Sequence, residues 1–407
     1  MKKKILLFLM LLFVSLGGEA RDIDGRPGQY VYAKEEKQEV SEKASEWEVV
    51  KKFNREISDN VFKDIKYEGV LPEYLSYVVV LSNRINVREK PTTKSEILSK
   101  AVSGTRLQVL EEVKNKEGEG WYKVLREGSE VFVYKKIVAL REFRFERSKE
   151  KLERLEKFIT ENISEGREVA SVNSYLPNPD NKDLMRERDK YGNVEDQSAK
   201  GDYNGTRVFV ADRTIVAIHE RVGDKYRVEK IGGEEPFLDI VTSRISKRPK
   251  IAEMPKKAIV IDIKNQNFIV YEKEEDSWNV ISYALSKTGT ESKLGFRTPR
   301  GEFIVPMAKR VMIYNDSEGE KQGYANYAIR FSGGGYIHGT PFNLEEEEEL
   351  EKHRKLKEST LGSYPGTRKC VRNDIIHARF LFEWVVGDIE GSKNHQKVKE
   401  NVVVIVM

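Results

Sequence analysis

Cysteine is almost missing from this chain: 407 residues contain one, Cys370. A lone thiol excludes an intramolecular disulfide, so it is either an inert buried group or a reactive one, and its surroundings must decide. Neither sign of charge is in excess. Lys and Arg number 71 against 67 Asp and Glu, a formal net charge of +4. That leaves no strong basic field and argues against nucleic acid as a partner. Histidine is scarce, at five. No Cys, His and carboxylate cluster falls at metal-ligand spacing, so neither a metal nor an organic cofactor is expected. After residue 16 no apolar run is long enough to span a bilayer.

What is present begins with a distinctive N-terminus. Lys2, Lys3 and Lys4 precede an apolar run, Ile5 to Leu16, and Gly18 and Ala20 stand at −3 and −1 of a cleavage site. This pattern predicts a signal peptide over residues 1–20 and an exported protein, periplasmic or wall-associated, with no membrane span after cleavage. The alternative is a short uncleaved anchor, but the run falls short of the ~20 residues a spanning helix needs. No cysteine follows the run, which excludes lipid attachment there.

The length predicts two to four domains. Residues 21–77 read as a polar linker with helical character, because Trp47, Val50, Phe53 and Ile57 recur at helical spacing. Residues 78–142 alternate short apolar runs with Gly, Pro, Asn and Thr turns, as a small barrel does. Residues 143–205 read as a charged helix, with Leu152, Leu155 and Phe158 inward, followed by a polar connector. Residues 206–252 show strand-like runs of a second small β region. Residues 253–407 carry a series of period-two strands, a helix after Cys370 and an apolar closing strand at Val402–Met407. The expected class is mainly β and multidomain.

Three patches of the last region carry chemistry: residues 288–305, 333–340 and 366–385. Cys370 ends an extended segment and a helix begins about four residues later, with Asn373 or Asp374 as its cap and Ile376, Phe380 and Trp384 on its buried face. Arg368, Lys369, Arg372 and the helix N-terminus are all expected to favour thiolate, the attacking species in acyl transfer. His338 stands at a strand end before Gly339 and has the proton affinity a general base needs. His377, two turns into the helix, is the competing base. His219, His353 and His395 lie in a different region, a highly charged helix and a polar tail.

Residues 78–142, through Asn86-Val87-Arg88, Pro91, Gly104, Trp121-Tyr122 and Val131 to Val133, resemble a bacterial SH3-like domain. The resemblance implies binding of wall peptide or glycan, with a spacer barrel as the alternative. Where that family carries Gly-Trp, this chain has Val131-Phe132-Val133. Residues 206–252 read as a degenerate copy. The run Tyr336-Ile337-His338-Gly339-Thr340, the segment Thr367-Arg368-Lys369-Cys370-Val371-Arg372 and the element Thr298-Pro299, Gly301, Phe303 together resemble the L,D-transpeptidase catalytic domain. That resemblance implies a β-sandwich with a helix after a nucleophilic Cys370, and His338 as base. It also implies orienting roles for the Gly339 carbonyl and Thr367, and an oxyanion hole from the backbone N–H groups of Lys369 and Cys370. Arg372 would hold a substrate carboxylate or brace the loop, and Tyr336 and Thr340 fall to substrate binding. The implied reaction joins peptidoglycan stem peptides, donor and acceptor, through a thioester. The same site resolved by water, acyl transfer involving a wall protein, and a decayed wall-binding scaffold are the alternatives. Two features depart from the family: Arg368-Lys369 replaces His-Gly, and a charged insertion, 343–360, separates base from nucleophile.

Overall fold

The computed structural model describes residues 46–176, 186–293, 295–315 and 320–407. The expected leader and the linker up to residue 45 lie outside them. Strand accounts for 47% and helix for 15%, which makes the chain mainly β, and its strands fall into four sheets. Among the described residues no helix is long and apolar enough to cross a membrane.

The first sheet is built from Glu48–Lys52 (β1), Ser76–Val80 (β2), Arg84–Arg88 (β3), Ile97–Val102 (β4), Arg106–Lys114 (β5), Gly120–Arg126 (β6), Ser129–Tyr134 (β7) and Val138–Glu142 (β8). Its order is β4-β3-β7-β6-β5-β2-β8, with β1 added to β5. Alternating Val78, Val80, Val87, Val109, Val124, Val131 and Val133 fill its core, as β-branched side chains on a pleated surface should. The helix expected near residues 46–62 is not formed. Glu48–Lys52 pairs antiparallel with β5, and Trp47 meets Phe132 edge-to-face at 4.9 Å. Cross-strand pairing and aromatic contact here outweigh a helical spacing that has no partner surface.

Phe145–Ser164 (α1) buries Phe145, Leu152, Leu155 and Ile159, while Phe158 is only partly covered. The connector expected after it instead supplies strands. Glu168–Val172 (β9), Ser198–Tyr203 (β10), Thr206–Ala211 (β11), Ile215–Val222 (β12), Lys225–Lys230 (β13), Phe237–Val241 (β14) and Ile245–Ile251 (β15) form a second sheet. Its order is β11-β10-β14-β13-β12-β9-β15, so β9 is internal and the unit starts near 168 rather than 206. β9 is only five residues, with Val169, Ala170 and Val172 its apolar members, and the polar stretch that follows it hides it in the sequence.

The last unit is a two-sheet sandwich. Lys257–Asp262 (β16), Asn267–Glu274 (β17), Ser277–Leu285 (β18), Gly301–Ile304 (β19) and Val402–Val406 (β26) form one sheet, in the order β18-β17-β16-β26-β19. The C-terminal strand is wholly buried and runs parallel to β16. Met307–Asn315 (β20), Lys321–Ser332 (β21), Gly335–His338 (β22), Phe342–Asn343 (β23), Val371–Arg372 (β24) and His395–Gln396 (β25) form the other. Ile259, Phe268, Ile329, Phe331 and Ile337 meet Leu381, Phe382 and Val385 of helix Ile375–Val386 (α3) in one core. The cap of α3 is Asp374, whose side chain accepts from His377 N at 2.8 Å. Its buried face is Ala378, Leu381, Phe382 and Val385. The expected stripe is wrong, because Ile376 is 59% exposed and Phe380 and Trp384 are only partly covered. A helix that is apolar nearly all round does not reveal its inner face by spacing alone.

The first unit grips the chain between base and nucleophile. Tyr77 Oη donates to Gly362 O at 2.9 Å, Arg106 Nη2 to Ser359 O at 2.8 Å and Arg141 Nε to Ser363 O at 3.0 Å. Tyr77 is buried, so Tyr77→Phe leaves a carbonyl without its donor. A loss of about 1–2 kcal/mol in chemical denaturation is expected.

Candidate active site

The sequence Phe331-Ser332-Gly333-Gly334-Gly335-Tyr336 turns β21 into β22, and Gly334 takes φ +68, where a side chain would be strained. β22 then pairs in parallel with β24, matching Ile337 to Val371 and His338 to Arg372. Side chains alternate along strands, so Tyr336 and His338 share a face with Arg372, and Cys370 directly precedes β24. The Cys370 Sγ is half-buried and lies 3.7 Å from Gly334 O, and the Tyr336 N–H faces it.

His338 is buried, and its Nδ1 lies 2.6 Å from Gly339 O. That bond assigns the proton to Nδ1 and leaves Nε2 as the basic nitrogen. Burial first, and Arg372 after it, lower its pKa to about 4. Burial also pushes the Cys370 thiol up, against the smaller opposing effects of the Tyr336 N–H, Lys369 and Arg372. The expected resident thiolate is therefore corrected: at neutral pH the pair is a neutral thiol and a neutral imidazole. Labelling of Cys370 by iodoacetamide should accordingly climb about tenfold per pH unit between pH 6 and 8. A flat profile over that range would mean a standing thiolate.

The loop before Cys370 rests on residues 287–298. Gly366 N and Thr367 N both donate to Thr288 O, at 2.8 and 3.0 Å. Thr288 is held in turn by Gln266, whose Nε2 donates to Thr288 Oγ1 at 2.7 Å and whose Oε1 accepts from Thr288 N at 2.9 Å. Thr298 Oγ1 accepts from Gly289 N at 2.7 Å and donates to Lys369 O at 2.9 Å. A Cβ on Gly289 would lie 2.7 Å from Lys369 Cα, so only glycine fits this approach. Thr367 Oγ1 donates to Cys370 O.

The remaining candidates take varied positions. Gly339 N donates to Asn326 O at 3.0 Å, and a Cβ there would sit 3.3 Å from Ala378 Cβ, so its small size admits the start of α3. Tyr336 is buried and its phenol is pushed up to about 12, by burial first and Tyr175 second. Lys287 is antiparallel-bridged to Arg372, and burial, then Arg372, lower its amine to about 8. Thr340 is fully buried and its hydroxyl donates to Glu358 Oε1 at 2.7 Å, bracing the inserted helix Leu350–Ser359 (α2). His377 faces the core, with Nε2 3.1 Å from Ser282 Oγ and its ring against Tyr67 and Phe268. Asn373, with its amide nitrogen toward His338, donates to His338 O at 2.8 Å and accepts from His377 Nδ1 at 3.3 Å.

Sequence reasoning missed a set of residues from the second unit. Asp212 is fully buried and pairs with Arg330 of β21, which is register partner to Tyr336. The Arg330 guanidinium also lies 4.0 Å over the Tyr175 ring. Asp196 pairs with Lys369 Nζ at 3.0 Å, and both are buried. These contacts link residues 118 and 173 positions apart, so no local signal marks them. Among the described residues no group of three or more His, Cys, Asp or Glu side chains is placed to hold a metal ion.

Comparison with known proteins bears on two regions. Residues 83–139 match the family model of the bacterial SH3 domain. No curated protein matches the chain. Similar solved structures include an L,D-transpeptidase from Mycobacterium smegmatis, 14% identical, covering 48% of this chain and 93% of that one, with TM-score 0.27. An L,D-transpeptidase from Mycobacterium tuberculosis is 17% identical over 59% of this chain and 89% of its own, with TM-score 0.26. A fused zinc-dependent amidase/peptidase/peptidoglycan-binding domain-containing protein from Clostridium acetobutylicum is 13% identical. That match covers 37% of this chain and 52% of that one, with TM-score 0.24. The segment from 83 to 139 is thus similar to the bacterial SH3 domain, within the first of the three β units.

Proposed function

We propose that this chain is an exported peptidoglycan L,D-transpeptidase with Cys370 as nucleophile and His338 as general base. The observation that supports the reading is the parallel pairing of β22 with β24, which brings His338 beside Arg372, two residues after Cys370. His338 Nε2 takes the thiol proton as Sγ bonds to the carbonyl carbon between the third stem residue and a terminal D-alanine. Negative charge gathers on the carbonyl oxygen, toward the backbone N–H groups of Lys369 and Cys370. The C–N bond breaks, the imidazolium returns its proton to the departing amine, and a thioester remains. An amine of the acceptor stem peptide then attacks the thioester, and the thiol is regenerated. Because both groups rest neutral, proton removal accompanies attack rather than preceding it.

One solved structure similar to this chain is an L,D-transpeptidase in complex with imipenem, and another carries a faropenem-derived adduct. Incubation of this protein with imipenem is expected to add one drug mass to the intact protein. Cys370→Ser should add none. An unmodified wild-type protein with Cys370 still open to iodoacetamide would count against the proposed acyl transfer.

A further inference from the structure

Lys369 directly precedes the nucleophile and holds φ +116, a backbone conformation that side-chain-bearing residues rarely adopt. Its carbonyl is fixed by Thr298 and its Cα presses on Gly289. Its side chain runs into the second β unit, where Nζ meets Asp196 Oδ2 at 3.0 Å, with 4% and 9% of the two side chains exposed. An ammonium so buried requires its counter-charge, so the ion pair fixes where the Lys369 side chain ends. A strained backbone persists only where the surroundings over-determine it. Three holds meet on this residue, two of them joined through the Gly289–Thr298 bond and the third from a different unit of the fold.

The next residue of that unit, Gln197, packs on the turn that leads into β22. Gln197 binds Leu176 through both ends of its amide, at 2.6 and 2.9 Å. Its Cβ lies 2.4 Å from where a Cβ on Gly333 would sit. Gly333 leads into Gly334, whose carbonyl faces Cys370 Sγ. The pair Asp196-Gln197 thus touches two segments that adjoin the nucleophile, the residue before it and the turn whose Gly334 carbonyl faces its sulfur.

We infer that Asp196 is a positioning residue: through its buried pair with Lys369 it holds the backbone N–H groups of 369 and 370 in register with the thiol. The second β unit is then a working part of the site rather than a spacer. The positioning rests on geometry alone, and only its catalytic consequence rests on the function proposed above.

The test uses the full chain with Asp196→Asn, Lys369→Met and the double variant. Hydrogen–deuterium exchange of the peptide spanning 366–372 is expected to speed by about tenfold or more in each single variant. The double variant should be no faster than the worse single one, the mark of one shared contact. Exchange across 257–274 should not change. Acyl-enzyme formation from a tetrapeptide stem donor should slow roughly 10- to 100-fold in Asp196→Asn, as expected of a misplaced site. Its iodoacetamide labelling should stay within about twofold, since reagent access and thiol ionisation remain governed by burial at Cys370. Unchanged exchange at 366–372 in Asp196→Asn, or strictly additive changes in the double variant, would overturn the inference. If Asp196→Asn does not fold, Asp196→Glu carries the same comparison. A wild type that forms no acyl-enzyme, while its loop still responds to Asp196→Asn, would sink the proposed function and leave the positioning intact.

Discussion

His338→Gln is expected to slow acyl-enzyme formation at Cys370 by roughly 10²–10⁴-fold, the usual contribution of a positioned general base. The size follows from the resting protonation states. Burial pushes the thiol up and lowers the imidazole to about 4, so almost no thiolate exists at pH 7 without help. A glutamine fills similar space and keeps polar contact with Gly339, but it cannot accept the proton. The pH dependence carries a matching sign. A histidine titrating near 4 stays unprotonated, and competent, above that value. The wild-type rate should hold down to about pH 5 and fall as pH drops through about 4, where protonation removes the base. A stopped-flow series from pH 3.5 to 8 reads this directly. A rate halved near pH 6.5 would instead mean an imidazole in ordinary solvent.

Arg330→Met is expected to cost about 3 kcal/mol of stability and to disturb the site. Asp212 is fully buried and Arg330 nearly so, and breaking such a pair typically costs ~3–5 kcal/mol because one charge is left in a poor medium. The low end applies because Arg213 Nε remains 3.6 Å from the same carboxylate. Ser174 N also keeps its bond to Asp212 Oδ1 at 2.8 Å. The double variant Asp212→Leu/Arg330→Met should recover only part of the loss, since it removes the unpaired buried carboxylate but leaves Ser174 N and Arg213 without their acceptor. Urea denaturation followed by tryptophan fluorescence separates these cases. A change below about 0.5 kcal/mol in Arg330→Met would mean the pair is far more solvated than its burial implies.

The sequence made some of this legible and hid the rest for physical reasons. The strands of 257–285 and the apolar C-terminal strand were readable because their side chains are buried on both faces and so form near-continuous apolar runs, not the expected period of two. The placement of His338 at a strand end before Gly339, and of Cys370 a few residues ahead of a helix, was readable because both are local features. Three kinds of information were not local. The inner face of α3 depends on which sheet it packs against, since both sides of the helix are apolar. The thiol's proton affinity depends on burial, which outweighs the cations visible beside it in the chain. Lys369 looked like a cation free to serve the thiol, yet its ammonium is paired with Asp196, from a segment that read as a polar connector. Strand β9 was lost in that same stretch because five residues are too few to stand out against a polar flank.

The central claim is an acyl thioester on Cys370 that an amine can resolve. Purified protein mixed with muropeptides bearing tetrapeptide stems, followed by intact mass and product chromatography, addresses it directly. The account predicts release of D-alanine, a transient adduct of one disaccharide-tripeptide acyl group on the wild type, and cross-linked dimers, none of which should appear with Cys370→Ser. Release of D-alanine that survives Cys370→Ser, or a folded wild type that neither releases D-alanine nor gains mass, would contradict it.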